Sequence, residues 1–168
     1  MKLKSTLSIF ATAVLISACN SRVSVSDTGL KYQIHDKNDG RKPKVGDIMT
    51  FQLVLKNSKD SVLRDTYKEG RPMQMMLQVP PFKGSFEEGL AMLSKKDSAS
   101  FFISADSLFS KMMQPLPPGI AKGSDITFTV KVLEVQNEQE FQKAQAEARE
   151  GQVKKDAKII DDYVVKTN

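Results

Sequence analysis

Apolar and polar positions alternate with period two in several stretches of this chain and follow a helical period in two others. Residues 126–135 (ITFTVKVLEV) alternate most regularly and predict a strand with one buried face. Residues 48–55 (IMTFQLVL) are apolar and β-favouring, which predicts a central strand. Residues 30–34 (LKYQI), 73–79 (MQMMLQV, closed by Pro80-Pro81) and 99–103 (ASFFI) predict three more. Residues 86–93 (FEEGLAML) place apolar side chains at 86, 90 and 93, the spacing of one short helix, and Gly89 within it points to close packing. Residues 36–47, with Gly40, Pro43 and Gly46, read as a loop, and residues 57–61 (NSKDS) as a turn. Residues 104–124 read as a long loop holding Pro115, Pro117, Pro118, Gly119 and Gly123.

After Gln136 the character changes. Residues 137–168 lack proline and are rich in Glu, Gln, Lys and Ala. Phe141, Ala144, Ala148, Val153, Ala157, Ile160 and Val164 follow helical spacing with one slip near Gly151. This predicts a long C-terminal helix, bent at Gly151. It is either a spacer packed on its own domain or an arm that joins two copies as a homodimer. Antiparallel strands with a single short helix among them predict an α+β domain over residues 29–136.

The length of 168 residues fits one domain plus attachments. With 40% hydrophobic and 27% charged residues, the chain builds a core and is neither a multi-span membrane protein nor a low-complexity polymer. The single cysteine excludes a disulfide within the chain. The single histidine, His35, would have to serve any Ser-His-Asp triad, and it ends a strand beside a polar loop, which suits a structural role. Glu87 and Glu88, adjacent on a helix, diverge by about 100° and read as helix-start acids rather than a catalytic pair. No metal site and no cofactor are expected. The chemistry, whatever it is, needs little acid, base or metal.

Lys2 and Lys4 precede residues 7–16 (LSIFATAVLI), an apolar run too short to span a bilayer comfortably. Ile16-Ser17-Ala18-Cys19 follows and resembles the lipobox of bacterial lipoproteins. The resemblance implies a signal peptide over residues 1–18, acylation of Cys19 and a polar tether over residues 19–28. Several acyl chains anchor firmly where one alone does not. Asn20, rather than aspartate, points to the outer membrane on its periplasmic side. Of 25 basic residues two lie in the leader, so 23 remain against 20 acidic ones, a net charge of about +3. That weak, interspersed charge excludes nucleic acid as an expected partner.

Several segments match one family in order and spacing. Gly40-Arg41-Lys42-Pro43-Lys44-Val45-Gly46-Asp47 precedes the long strand, and Gly84-Ser85-Phe86-Glu87-Glu88-Gly89-Leu90 opens the helix. Ile103-Ser104-Ala105-Asp106 leads into the proline-rich loop, and Leu116-Pro117-Pro118 precedes residues 126–133. Over residues 28–135 this set is similar to the FKBP-type peptidyl-prolyl isomerases. The resemblance implies a five-stranded antiparallel half-barrel around one short helix, and isomerisation of X-Pro bonds in unfolded or exported proteins of the cell envelope.

Carried over residue by residue, the family pocket falls on Phe86 (usually Trp), Phe128 and Phe109 (usually Tyr, so a hydroxyl donor is lost). It also falls on Met73, Phe82 beside Lys83, Leu116 and Leu53, the last standing for a tyrosine. The usual Phe-Asp pair falls on Leu63 and Arg64, with Asp65 one place late. Successive strand residues face opposite ways, so Asp65 is a poor substitute for the missing carboxylate. The resemblance therefore implies an isomerase of reduced activity, or a module that binds without catalysing. Met112 and Met113, in the loop over the family pocket, suit contact with apolar client chains, while Met75 and Met92 suit the core.

Overall fold

The structure, a computed structural model, describes residues 22–167. The leader and Cys19 lie outside the described residues. One antiparallel sheet carries β1 (Ser24–Val25), β2 (Lys31–Asp36), β3 (Ile48–Lys56), β4 (Val62–Asp65), β5 (Met73–Met76), β6 (Ser98–Ser104) and β7 (Asp125–Gln136). The helices are α1 (Phe86–Ala91), α2 (Ala105–Lys111) and α3 (Glu138–Thr167). The strand order is β1-β2-β6-β7-β3-β4, with β5 also on β3.

Five strands were expected and seven are found. The nine-residue β3 takes β7 along one edge and both β4 and β5 along the other. Ile48–Phe51 pair with Met76–Met73, and Val54–Lys56 with Asp65–Val62, so the two short strands share one position. The sequence of β4, Val-Leu-Arg-Asp, is too short and too charged to announce a strand. The two-residue β1 adds an edge beside β2.

One further element differs from expectation. The long loop begins with helix α2, because Pro115 and its successors lie beyond residues 105–111 and Ser104 Oγ accepts the Ser107 N–H at 3.3 Å. The long helix expected after Gln136 is present as α3 and runs through Gly151. Its start is a capping box: Asn137 Oδ1 accepts the Glu140 N–H at 2.9 Å, and Glu140 Oε2 accepts the Asn137 N–H at 2.8 Å. No helix among the described residues is long and apolar enough to cross a membrane.

The core lies between α1 and the concave face of the sheet. Met49, Phe51 and Leu53 from β3, Phe101 and Ile103 from β6, and Val130 and Val132 from β7 meet Leu90 and Leu93 there, all buried. Gly89 turns its bare Cα to Phe101, where a Cβ would come within 2.7 Å of the ring. The close packing expected at this glycine is therefore an aromatic face pressed on the helix backbone.

Candidate functional site

Four aromatic rings converge where α1 crosses the sheet. The Phe86 ring, at the first position of α1, lies 4.8 Å from Phe128 at an interplanar angle of 30°. It meets Phe51 edge-on at 5.9 Å and Phe101 at 6.3 Å. Strand register explains the meeting: Phe101 stands opposite Phe128, and Phe128 opposite Leu55. Directly opposed residues share a face. Phe51 and Phe101 are wholly covered, whereas Phe86 is half-buried and Phe128 keeps 8% exposure.

These last two rings floor a surface cleft of about 270 Å³. Pro81 and Phe82 wall it from the segment before α1, and Leu108, Lys111 and Met112 from α2 and its cap. Glu87 and Lys111 are its charged groups. Of the residues singled out in the sequence, Phe82, Phe86 and Phe128 are thus brought together. Met112, one of the loop methionines, lines the cleft too, and Met113 beside it is 93% exposed. Pro81 and Leu108 were not anticipated: Pro81 read as a strand stop, and Leu108 sat in a segment read as loop.

The remaining candidates lie around this floor. Leu53 is a core residue, held where the Leu53 N–H donates to Thr66 Oγ1 at 2.8 Å and the Thr66 N–H to the Leu53 carbonyl at 3.0 Å. Met73, opposite Phe51, packs half-buried against the core, as do Phe109 and Leu116. Leu63 is 44% exposed on the edge strand.

Arg64 and Asp65 divide as strand alternation requires. Arg64 stands opposite Leu55, in the row of Phe128 and Phe101, and so belongs to the concave face. Its guanidinium makes two 3.0 Å bonds to the Glu69 carboxylate and sits 3.5 Å from Met73 Sδ. The hydrogen bond to Glu69, and then its charge, holds Arg64 firmly protonated, and the same partner keeps the Glu69 carboxyl below its ordinary value. Asp65 stands opposite Val54, on the other face, and its carboxylate accepts the Tyr67 N–H at 3.0 Å within a turn. The concave face thus carries a cation where the resemblance implies an anion.

His35 lies on the convex side, where Nε2 is 2.8 Å from Ser100 Oγ, itself 3.0 Å from Thr129 Oγ1. It ties β2 to β6 and β7 and takes no part in the cleft. Glu88, expected as a helix-start acid, does more. It accepts from Ser26 Oγ at 2.8 Å, from Thr28 Oγ1 and from the Gly84 N–H at 2.9 Å, fastening the N-terminal segment to α1.

A family model described as FKBP-type peptidyl-prolyl cis-trans isomerase matches residues 39–133, more than half of the chain. The chain belongs to this family. Among solved structures, the crystal structure of FkpA from Escherichia coli is similar, with 26% identity and a TM-score of 0.56. The match covers 68% of this chain and 52% of FkpA, so the chain spans about half the length of that relative. No curated protein matches. The FKBP match contains β3 to β6, α1, α2 and most of β7, hence every residue of the cleft; β1, β2 and α3 lie outside it.

Proposed function

We propose that this protein is a peptidyl-prolyl cis-trans isomerase that assists the folding of exported proteins in the cell envelope. The observation that carries the reading is the exposed edge of the aromatic cluster, Phe86 against Phe128, at the bottom of an apolar cleft. Amide resonance sets a barrier of about 18–20 kcal/mol to rotation about an X-Pro bond. Lowering it takes no nucleophile. A proline ring seated on Phe86 and Phe128 leaves its carbonyl among Phe82, Leu108 and Met112, away from bulk water. Rotation breaks the resonance and lowers the polarity of the amide, so an apolar wall favours the twisted amide over either planar isomer.

The test is exchange NMR on a Phe-Pro peptide, whose uncatalysed exchange takes tens of seconds. Exchange cross-peaks are expected on adding the protein. Phe128→Ala, which removes half of the floor, is expected to cut the rate about tenfold or more, whereas His35→Ala on the convex side leaves it. Peptide shifts without exchange would instead support a second reading, a chaperone module that binds and does not catalyse. Arg64 on the concave face and the lost hydroxyl at Phe109 favour that alternative.

The leader and Ile16-Ser17-Ala18-Cys19 support attachment to the outer membrane through acylated Cys19; the tether expected over residues 19–28 is shorter than that, because Ser24–Val25 pair with β2 and Ser26 and Thr28 bond to Glu88. A homodimer through α3 is part of the proposal. Val153, Ile159 and Ile160 support it, being more than 60% exposed along the helix. Identical monomer masses by light scattering, with and without residues 137–168, would sink it.

A further inference from the structure

Phe82 lines a small polar cavity with Lys31, Lys83 and Ser104 and, beside it, two cavities with more apolar walls. One is the cleft over Phe86 and Phe128; the other, about 620 Å³, runs between the N-terminal segment and α1. Pro80, Phe82 and Met92 supply apolar surface to this second groove. Val79, 69% exposed, extends the apolar surface along the chain from Pro80. The polar wall has little to offer a ligand, since the Glu88 carboxylate is already bonded to Ser26, Thr28 and Gly84. Lys83 faces two carboxylates on the lining, Asp27 and the already bonded Glu88. The groove is therefore largely apolar, with one more carboxylate than lysine on its rim, and shares the Phe82 ring with the cleft.

An extended polypeptide advances about 3.4 Å per residue. A client whose proline occupies the cleft and whose chain crosses Phe82 next meets this groove. We propose that the groove between residues 26–28 and α1 is a second subsite for the same client chain, taking an apolar side chain a few residues away from the proline. This rests on the isomerase reading of the cleft. It names the substrate class as extended chain with spaced apolar residues, rather than an isolated X-Pro unit.

The experiment compares an Ala-Phe-Pro-Ala tetrapeptide with longer peptides of glycine, serine and alanine around the same Phe-Pro. One leucine is moved between three and six residues before or after the proline. At one position the apparent KM is expected to fall about tenfold, as for one apolar side chain buried. That peptide should also shift the Met92 methyl resonance, which the tetrapeptide leaves in place. Met92→Gln should abolish the gain and leave isomerisation of the tetrapeptide intact. No leucine position with a lower KM, or an unmoved Met92 methyl, overturns the proposal. So does a Met92→Gln variant that slows both peptides equally. A Met92 methyl that shifts without peptide when the chain is cut back from residue 19 to residue 22 assigns the groove to the protein's own N-terminal segment, and also overturns it. Acceleration of neither peptide overturns the cleft reading, and this proposal with it.

Discussion

At Gly89 the absence of a side chain decides how α1 sits. The Phe101 ring occupies the space of a Cβ, and Phe101 is itself fully buried among Phe86, Phe128 and the neighbouring strands. A methyl group here has nowhere to go. Gly89→Ala is expected to destabilise the protein by about 1–3 kcal/mol, the range for overpacking, read as a lower urea midpoint with unchanged slope. An unmoved midpoint would mean that α1 slides freely on the sheet. The need for a small residue was legible in the sequence, because glycine inside a helical pattern costs stability and calls for a reason. Its partner was not, since Phe101 comes from a strand twelve positions on. The same limit governs Arg64 and Asp65. Alternation told that only one of them faces the cleft side, and only the pairing of Arg64 with Leu55 told which.

Among the elements, α1 is fastened at its outer side by Glu88. Burial pushes the Glu88 carboxyl up, but the hydrogen bonds from Thr28, Gly84 and Ser26 outweigh it and hold the group below its ordinary value. Ionised Glu88 therefore stabilises the folded chain. The contribution is fully present above the pKa that Glu88 has in the unfolded chain, and it fades as pH falls through the lower folded value. In a pH titration by NMR, the Gly84 amide is expected to move with a midpoint below 4.5, the ordinary glutamate value. Glu88→Gln should remove that step. A midpoint at or above 4.5 would mean that the three donors do not hold the carboxylate. Helix α2 shows where periodicity ran out. Residues 105–111 make only two turns, too few for a helical period to stand out beside the prolines and glycines of residues 115–123. The signals that could have found it are local: Ser104 as N-cap and Asp106 in the first turn.

Over the whole molecule, the sheet domain and α3 differ in kind. The domain closes its own core, and α3 is tied to it by a 3.7 Å ion pair between Arg41 and Glu140, with Phe141 and Ala144 half-buried on its first turns. Beyond these turns the described side chains of α3 are almost all exposed. Removing residues 145–168 is therefore expected to shift the thermal midpoint of the sheet domain by less than about 4 °C, the equivalent of 1 kcal/mol or less at this size. A much larger drop would show that the helix is part of the folding unit. The cleft lies within the domain, so the isomerase rate on a short peptide should survive the same cut.

Elements with long, regular patterns are legible in the chain alone. Strands β3 and β7, the short helix and the C-terminal helix follow from side-chain periodicity, which is local, while Phe86 and Phe128 as a floor were implied by the family resemblance. Tertiary structure alone decided what depends on pairing between distant segments. It split one edge into β4 and β5 along the length of β3, and it put Arg64 rather than Asp65 on the concave face. It also set Phe82 between the cleft and the groove. The reason is physical: side chains in a strand alternate with period two, so the face each one serves is fixed by register. Register here is set by hydrogen bonds to strands tens of residues away.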